Sequence, residues 1–251
     1  MGTYTELTIE DYPLVSSKST VIPEVMTLFR ETNRRVFTRR VAERNVLIWG
    51  EPNDPDDQET EMVTEYSCTT ADAIDRLNIM GFTYSRVQDE FEAGRRAELE
   101  KYSSWAEDDD SQWFVEEWNL IRNITFDEYV RAFNEVLTNR LRPDPFDDHD
   151  KEGLNPFVKY ILTNNEDYLF GFLGSDIRFL IRLTCELSSK SSRVVQDITG
   201  LIYSGHYEEN EPVCENATKA LIAGHPENSS RIVLTEGSTD AAILKEALAI
   251  L

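Results

Sequence analysis

The sequence predicts an α+β fold. It should carry an N-terminal β-hairpin or small sheet, a mainly helical body, and then the first β-α unit of a truncated α/β domain. Three observations predict this. Thr3 to Ile9 alternates as T-Y-T-E-L-T-I and is answered, after Glu10-Asp11, by a second extended run. From about Thr69 the apolar period becomes that of helices, with two capping-box patterns on the way. Near the end, Arg231-Ile-Val-Leu-Thr235 is a short β-branched strand candidate followed by Glu236-Gly237 and a helix-forming run.

The elements follow in order. Tyr12 to Ser19 is the return strand of the hairpin, and Pro13 places it at a sheet edge or a strand start. Val25 to Arg44 carries six arginines, Arg30, Arg34, Arg35, Arg39, Arg40 and Arg44, and leads to the apolar patch Val46-Leu-Ile-Trp49, ended by Gly50. The stretch 51–65, EPNDPDDQETEMVTE, is acidic and proline-punctuated and is expected to be a solvated loop. Thr69 with Asp72 opens a helix over Ala71 to Met80 that stops at Gly81. Ser85 to Ser103 reads as a long charged helix, and a further one follows the acid run 107–110. Thr125 with Glu128 opens a helix to about Leu141, and 142–153 is a loop. Helices are expected at 156–163, 176–188 with Ser175 as N-cap, 193–203 and 212–223. The domains so predicted are 1–66, 67–226 and 227–251.

Composition narrows the classes. The 251 residues hold 47 acids against 25 bases, a formal charge of −22. A phosphate backbone or an anionic bilayer repels such a surface, which argues against an unaided nucleic-acid binder and against membrane docking. Apolar residues make up 40% of the chain, including 12 Phe and 10 Tyr, enough for a packed interior despite the charge. Trp113, Phe114, Trp118, Phe170, Phe172, Phe179 and Leu180 are its candidate helical core. Three cysteines, Cys68, Cys185 and Cys214, are too few and too far apart for a disulfide framework, so they are expected to be buried thiols. With no signal peptide and no membrane span, a cytoplasmic protein is expected.

The phrase Ile232 to Leu244, I-V-L-T-E-G-S-T-D-A-A-I-L, places a carboxylate at the carboxyl end of a strand, where α/β folds hold ligands and metals. It resembles the first motif of Toprim domains, especially those of OLD-family nucleases and bacterial primases. The resemblance implies that Glu236 is catalytic, in metal-dependent phosphoryl chemistry, and that Glu236 with Asp240 contributes to a Mg²⁺ site, while Gly237 permits close approach of substrate. In that family an Asp-x-Asp on a later strand completes the site. None follows Glu236 in this chain, so the site is incomplete. Magnesium is expected only in a longer parent protein, no cofactor is expected in this chain, and the chain is expected to be inactive alone.

The N-terminal part carries a second resemblance. G-T-Y-T-E-L-T-I-E-D-Y, L-V-S-S-K-S, L-F-R-E-T-N-R-R, E-R-N-V-L-I-W-G-E and E-Y-S-C-T-T-A-D-A-I-D-R-L-N-I-M-G-F together resemble the HEPN/Toprim-associated N-terminal domain. That domain is found in prokaryotic proteins ahead of a HEPN ribonuclease or a Toprim domain, and such architectures imply a role in antiphage defence. A HEPN site needs an R-x4–6-H signature, and Arg142 with His149 has the spacing. Two prolines and several acids make that stretch a loop, whereas the chemistry needs Arg and His on a helix.

Arg34, Arg35, Arg39 and Arg40 lie in the one basic concentration and are candidates for phosphate or partner contact, with pairing to the chain's own acids as the plainer alternative. The function expected is an N-terminal regulatory, recognition or assembly module of a Mg²⁺-dependent Toprim nuclease in prokaryotic antiphage defence. It would be a homo-oligomer or bind a protein partner, with nucleic acid held only through the Toprim part. The alternatives are a non-enzymatic protein-binding module that senses a phage protein, and an acidic nucleic-acid mimic.

Overall fold

The computed structural model describes residues 3–105, 112–143, 153–163, 170–223 and 237–250. The fold is α+β, with a five-stranded antiparallel sheet and helices among the described residues. The chain divides into two compact units, 1–82 with 188–251, and 83–187.

The first unit holds the sheet. The strands are β1 (Tyr4–Ile9), β2 (Tyr12–Lys18), β3 (Arg34–Arg40), β4 (Thr60–Thr69) and β5 (Arg193–Asp197), in the spatial order β2-β1-β5-β4-β3. The hairpin β1–β2 forms as expected, turning at Glu10 and Asp11, which have φ of 53° and 62°. Pro13 lies on an edge strand, where its missing N–H leaves no ladder bond unmade.

Two expectations are corrected. Residues 193–203 are not one helix: Arg193–Asp197 is the central strand, paired to β1 and β4, and only Thr199–Tyr203 is helical. Val194 and Val195 are both buried there, which suits a β-branched pair in a strand covered on both sides. Nor is 51–65 wholly a loop, because Thr60 to Glu65 begins β4. The acids Glu61 and Glu65 are tolerated in that strand because arginines from three other segments, Arg39, Arg44 and Arg193, pair with them.

Short helices and connections flank the sheet: α1 (Pro23–Met26), α2 (Val46–Trp49), α3 (Thr70–Ile79), α9 (Thr199–Tyr203) and α10 (Val213–Ala223). Register puts Leu7, Ile9, Val15, Tyr66, Cys68 and Val194 on one face. These residues are buried, and the segment from Val25 to Glu31 packs on them: Phe29 lies 6.2 Å from the Tyr66 ring, and Cys68 Sγ contacts the Leu28 carbonyl at 3.7 Å. The Thr69–Asp72 capping box forms in both directions and starts α3, and Gly81 follows it at φ 92°. In this unit α11 (Ser238–Ile250) is exposed over residues 238–247.

The second unit is helical: α4 (Tyr84–Trp105), α5 (Gln112–Asn123), α6 (Phe126–Thr138), α7 (Pro156–Thr163) and α8 (Ile177–Leu187). α4 packs against α5, α6 and α8, and α6 against α7. Its interior is aromatic. Phe91, Tyr129, Phe133, Phe170 and Phe172 are buried with ring centroids 5.1–6.0 Å apart, and the Tyr129 hydroxyl donates to the Phe170 carbonyl at 3.1 Å. Phe179 and Leu180 are also buried, and Trp118 is half-buried beneath Arg122. The side chains of Trp113 and Phe114 lie outside the described set. The Thr125–Glu128 capping box starts α6, worth about 1 kcal/mol for such a cap. Ser175 is not the cap of α8. Asp176 accepts from the Arg178 N–H, while the Ser175 hydroxyl donates to Glu90.

Candidate functional site

Side chains alternate across a strand, so register assigns the arginines of β3 to two faces. Arg34, Val36, Thr38 and Arg40 stand opposite Tyr66, Thr64, Met62 and Thr60, on the face that carries the apolar core. Arg35, Phe37 and Arg39 stand opposite Glu65, Val63 and Glu61, on the other face.

That second face carries an ion network. Glu61 accepts from Arg39 Nη2 at 2.7 Å and from Arg44 Nε at 3.0 Å, and Arg39 also lies 3.7 Å from Asp197. The Arg44 and Arg39 hydrogen bonds hold the Glu61 carboxyl below its ordinary value. Glu6, Asp197 and Glu65 are consecutive partners across β1, β5 and β4, so three carboxylates form a row with Arg35 at its end. Like charges side by side disfavour ionisation. Burial raises the Glu65 carboxyl, and Asp197 adds to this, against the opposing pull of Arg193, which bonds Glu65 and Ser67.

On the core face, Glu31 ties three elements together. Its carboxylate accepts from the Tyr66 hydroxyl at 2.9 Å and from the backbone N–H groups of Cys214 and Glu215 at the start of α10, at 2.8 and 3.2 Å. Burial pushes the Cys68 thiol up to about 12, and burial with Glu31 nearby also raises Cys214. All three cysteines are buried thiols outside any disulfide. Cys68 and Cys214 are therefore protonated thiols without nucleophilic character at neutral pH.

Beside this cluster lies a cavity of about 270 Å³. Arg34 and Val36 of β3, Met62 and Thr64 of β4, and Ile202 and Tyr203 of α9 supply most of its walls. Arg34 donates to the Glu209 carbonyl through Nη2, while its Nε is buried with no partner among the described residues. The cavity adjoins an open edge. The backbone of Thr64 bonds Ile198 and Thr199, and that of Met62 bonds Tyr203, all on the β5 side of β4. The ladder to β3 therefore runs through residues 61, 63 and 65, and the backbone groups of Val36 and Thr38 turn outward. Among the described residues β3 is the last strand of the sheet on that side, with Val36 58% exposed.

The residues expected from sequence fall in different places. Arg34, Arg35, Arg39 and Arg40 come together on β3, where Arg39 pairs with Glu61 and Arg40 with Glu43. Arg142 is exposed beyond the end of α6, and His149 lies outside the described residues. Glu236 and the strand expected at 231–235 also lie outside them. Gly237 directly precedes α11, and Asp240 is exposed on its first turn. Among the described residues no three His, Cys, Asp or Glu side chains converge as metal ligands, so Asp240 has no ligand set around it there. The residues that sequence reasoning missed are Tyr203, Thr199 and Asp197, which complete the edge and the ion network. The one signal nearby was the β-branched pair Val194-Val195 in Arg193-Val-Val-Gln-Asp197, hidden inside an expected helix. No helix among the described residues is long and apolar enough to cross a membrane.

The family described as HEPN/Toprim N-terminal domain 1 matches residues 1–220. No curated protein and no solved structure matches the chain. The phrase Ile232 to Leu244 lies beyond the matched segment.

Proposed function

The chain belongs to the HEPN/Toprim N-terminal domain 1 family, and from that membership we propose that it is the recognition, regulatory or assembly module of a Mg²⁺-dependent Toprim nuclease in prokaryotic antiphage defence. One observation carries this reading. A family segment whose description names HEPN and Toprim is followed, in the same chain, by the phrase I-V-L-T-E-G-S-T-D-A-A-I-L of Ile232 to Leu244, which resembles the first Toprim motif. Within that reading Glu236 acts in phosphodiester cleavage, Asp240 helps to hold magnesium, and Gly237 admits substrate. Glu236 and Asp240 are only part of such a metal site, which further carboxylates would have to complete.

The test uses the longest natural form of the protein. It should cleave nucleic acid in the presence of Mg²⁺, and Glu236→Ala should abolish cleavage while leaving the fold intact. Undiminished Mg²⁺-dependent cleavage by that variant would remove the assignment.

A second reading, a non-enzymatic module that binds a protein partner, is favoured by the open edge of β3. It predicts capture of a partner without any cleavage. The acidic-mimic reading fits less well, since a mimic of nucleic acid has no use for Arg34, Arg35, Arg39 and Arg40 gathered on one strand.

A further inference from the structure

We infer that the outer edge of β3 is a docking site for an extended acidic peptide of a partner protein, added to the sheet as a sixth strand. This deepens the recognition role proposed above and rests on it.

The backbone supplies the first part of the argument. Val36 and Thr38 direct their N–H and C=O groups away from β4, and both residues are exposed. An edge strand with free ladder groups binds another strand by main-chain hydrogen bonds, and natural proteins usually block such edges. Among the described residues, the acid-rich segment 51–59 does not occupy this one. Residues 51–59 are mostly exposed, and Asp54 and Asp57 bond locally within that segment.

Charge selects the occupant. The strand reads Arg34-Arg-Val-Phe-Thr-Arg-Arg40, with no acid, in a chain of net charge −22. It is also nearly palindromic about Phe37. Antiparallel pairing with a second copy in that register would set Arg34 against Arg40 and Arg35 against Arg39, cation facing cation on both flanks. Directly opposed like charges destabilise a strand pair, so this edge discriminates against its own copy while favouring an acidic strand.

Side-chain alternation refines the pattern. On one face the added strand runs beside Arg39, which Glu61 already engages, and beside Arg35, which asks for an Asp or Glu opposite it. On the other face its side chains lie beside Val36 and the cavity walled by Met62, Ile202 and Tyr203, which has room for one large apolar side chain. The predicted ligand carries acid on the first face and aliphatic or aromatic residues on the second.

The probe is a labelled nine-residue peptide of alternating Glu and Val with one central Phe, titrated into the full chain. It should bind, and replacing its Glu residues by Lys should weaken binding at least tenfold. N-methylation of alternate backbone amides, which removes ladder donors without changing charge, should do the same with the wild-type protein. Val36→Pro should abolish binding, with circular dichroism reporting on the fold. Four results would overturn the proposal: no binding of the Glu peptide; binding indifferent to N-methylation; displacement of the peptide by single-stranded RNA or DNA at lower concentration; or a dimer of the chain that V36P dissolves. Peptide binding needs no nuclease activity and the Glu236→Ala test needs no peptide, so failure of one is distinguishable from failure of the other.

Discussion

The Tyr203 hydroxyl lies 3.1 Å from both the amide nitrogen and the carbonyl oxygen of Met62, accepting from one and donating to the other. Strand β5 stops at Asp197, and the remaining length of β4 would be open on that side. Ile198 and Thr199 close the backbone of Thr64, and Tyr203 closes that of Met62. The Ile198 amide and the Thr199 and Tyr203 side chains thus stand in for the strand that is no longer there.

Removing that hydroxyl should loosen one end of β4 and little else. Tyr203→Phe deletes two hydrogen bonds at a ring that is 66% exposed, so the expected loss is about 1 kcal/mol. Hydrogen exchange should quicken at the Met62 amide and stay unchanged at Tyr66, which lies between β3 and β5 in the register. Equal exchange at Met62 in both proteins would show that water replaces the phenol without loss.

The charged face of the sheet should give two carboxylates opposite pH behaviour. Arg44 and Arg39 hold Glu61 below its ordinary value, so its contribution is complete above the unfolded value, about 4.3, and is lost as pH falls through the lower folded value. Burial raises Glu65, so its ionised form works against folding at neutral pH, and that penalty disappears as pH falls through the raised value. Glu61→Gln should therefore cost about 2 kcal/mol at pH 7, a gap that narrows below pH ~4. Glu65→Gln should be as stable as the wild type or more so at pH 7, since Arg193 is half-exposed and can be hydrated instead. Urea midpoints of the three proteins across the acid range check both signs, and parallel profiles would refute them.

What was legible in the sequence follows the range of the interactions. The β1–β2 hairpin and both capping boxes could be read because their partners lie within a few residues: Thr69 with Asp72, Thr125 with Glu128. β5 was not legible, because its pairing is with β4 and β1, from which the helical unit 83–187 separates it in sequence. Five residues ending in Gln-Asp carry too little periodicity to resist a helical reading. The start of β4 was lost for an electrostatic reason. Glu61 and Glu65 read as solvated acids in sequence, and only the fold sets Arg39, Arg44 and Arg193 beside them. The arginine cluster was visible as a concentration of charge, but its division between two faces and the open backbone edge depend on register, which local composition does not encode.

The first hairpin offers a stabilising change. Glu10 and Asp11 both hold positive φ, the left-handed region that a two-residue turn between antiparallel strands requires. A non-glycine residue pays roughly 1 kcal/mol there. Asp11→Gly relieves that, less the entropy that glycine loses on folding, for a net gain of about 0.5 kcal/mol. Glu10 should not respond in the same way, because its carboxylate accepts from the Ser189 N–H at 3.0 Å and from the Ser192 hydroxyl. Thermal melts should thus rise for D11G and fall for E10G. A fall for D11G would mean that the Asp11 side chain has a role the turn geometry does not explain.

In the helical unit the sign of one substitution is diagnostic. Gly94 sits inside α4, where alanine would ordinarily gain up to about 1 kcal/mol through helix propensity. A Cβ at this position would lie 1.6 Å from the Leu173 carbonyl oxygen and 2.5 Å from its carbon, both backbone atoms that cannot rotate away. Either α4 or the segment at Leu173 must then shift, and Glu90, one turn earlier on α4, would lose its hold on the Ser175 N–H and hydroxyl. Overpacking of this kind costs about 1–3 kcal/mol, so Gly94→Ala should lower the melting temperature by several degrees and expose the ring cluster of Phe91, Tyr129 and Phe172 to near-ultraviolet dichroism. Gln88→Ala, on an exposed turn of the same helix, should change stability by no more than about 0.5 kcal/mol. If G94A proved the more stable of the two, the close approach of α4 to Leu173 would not exist in solution.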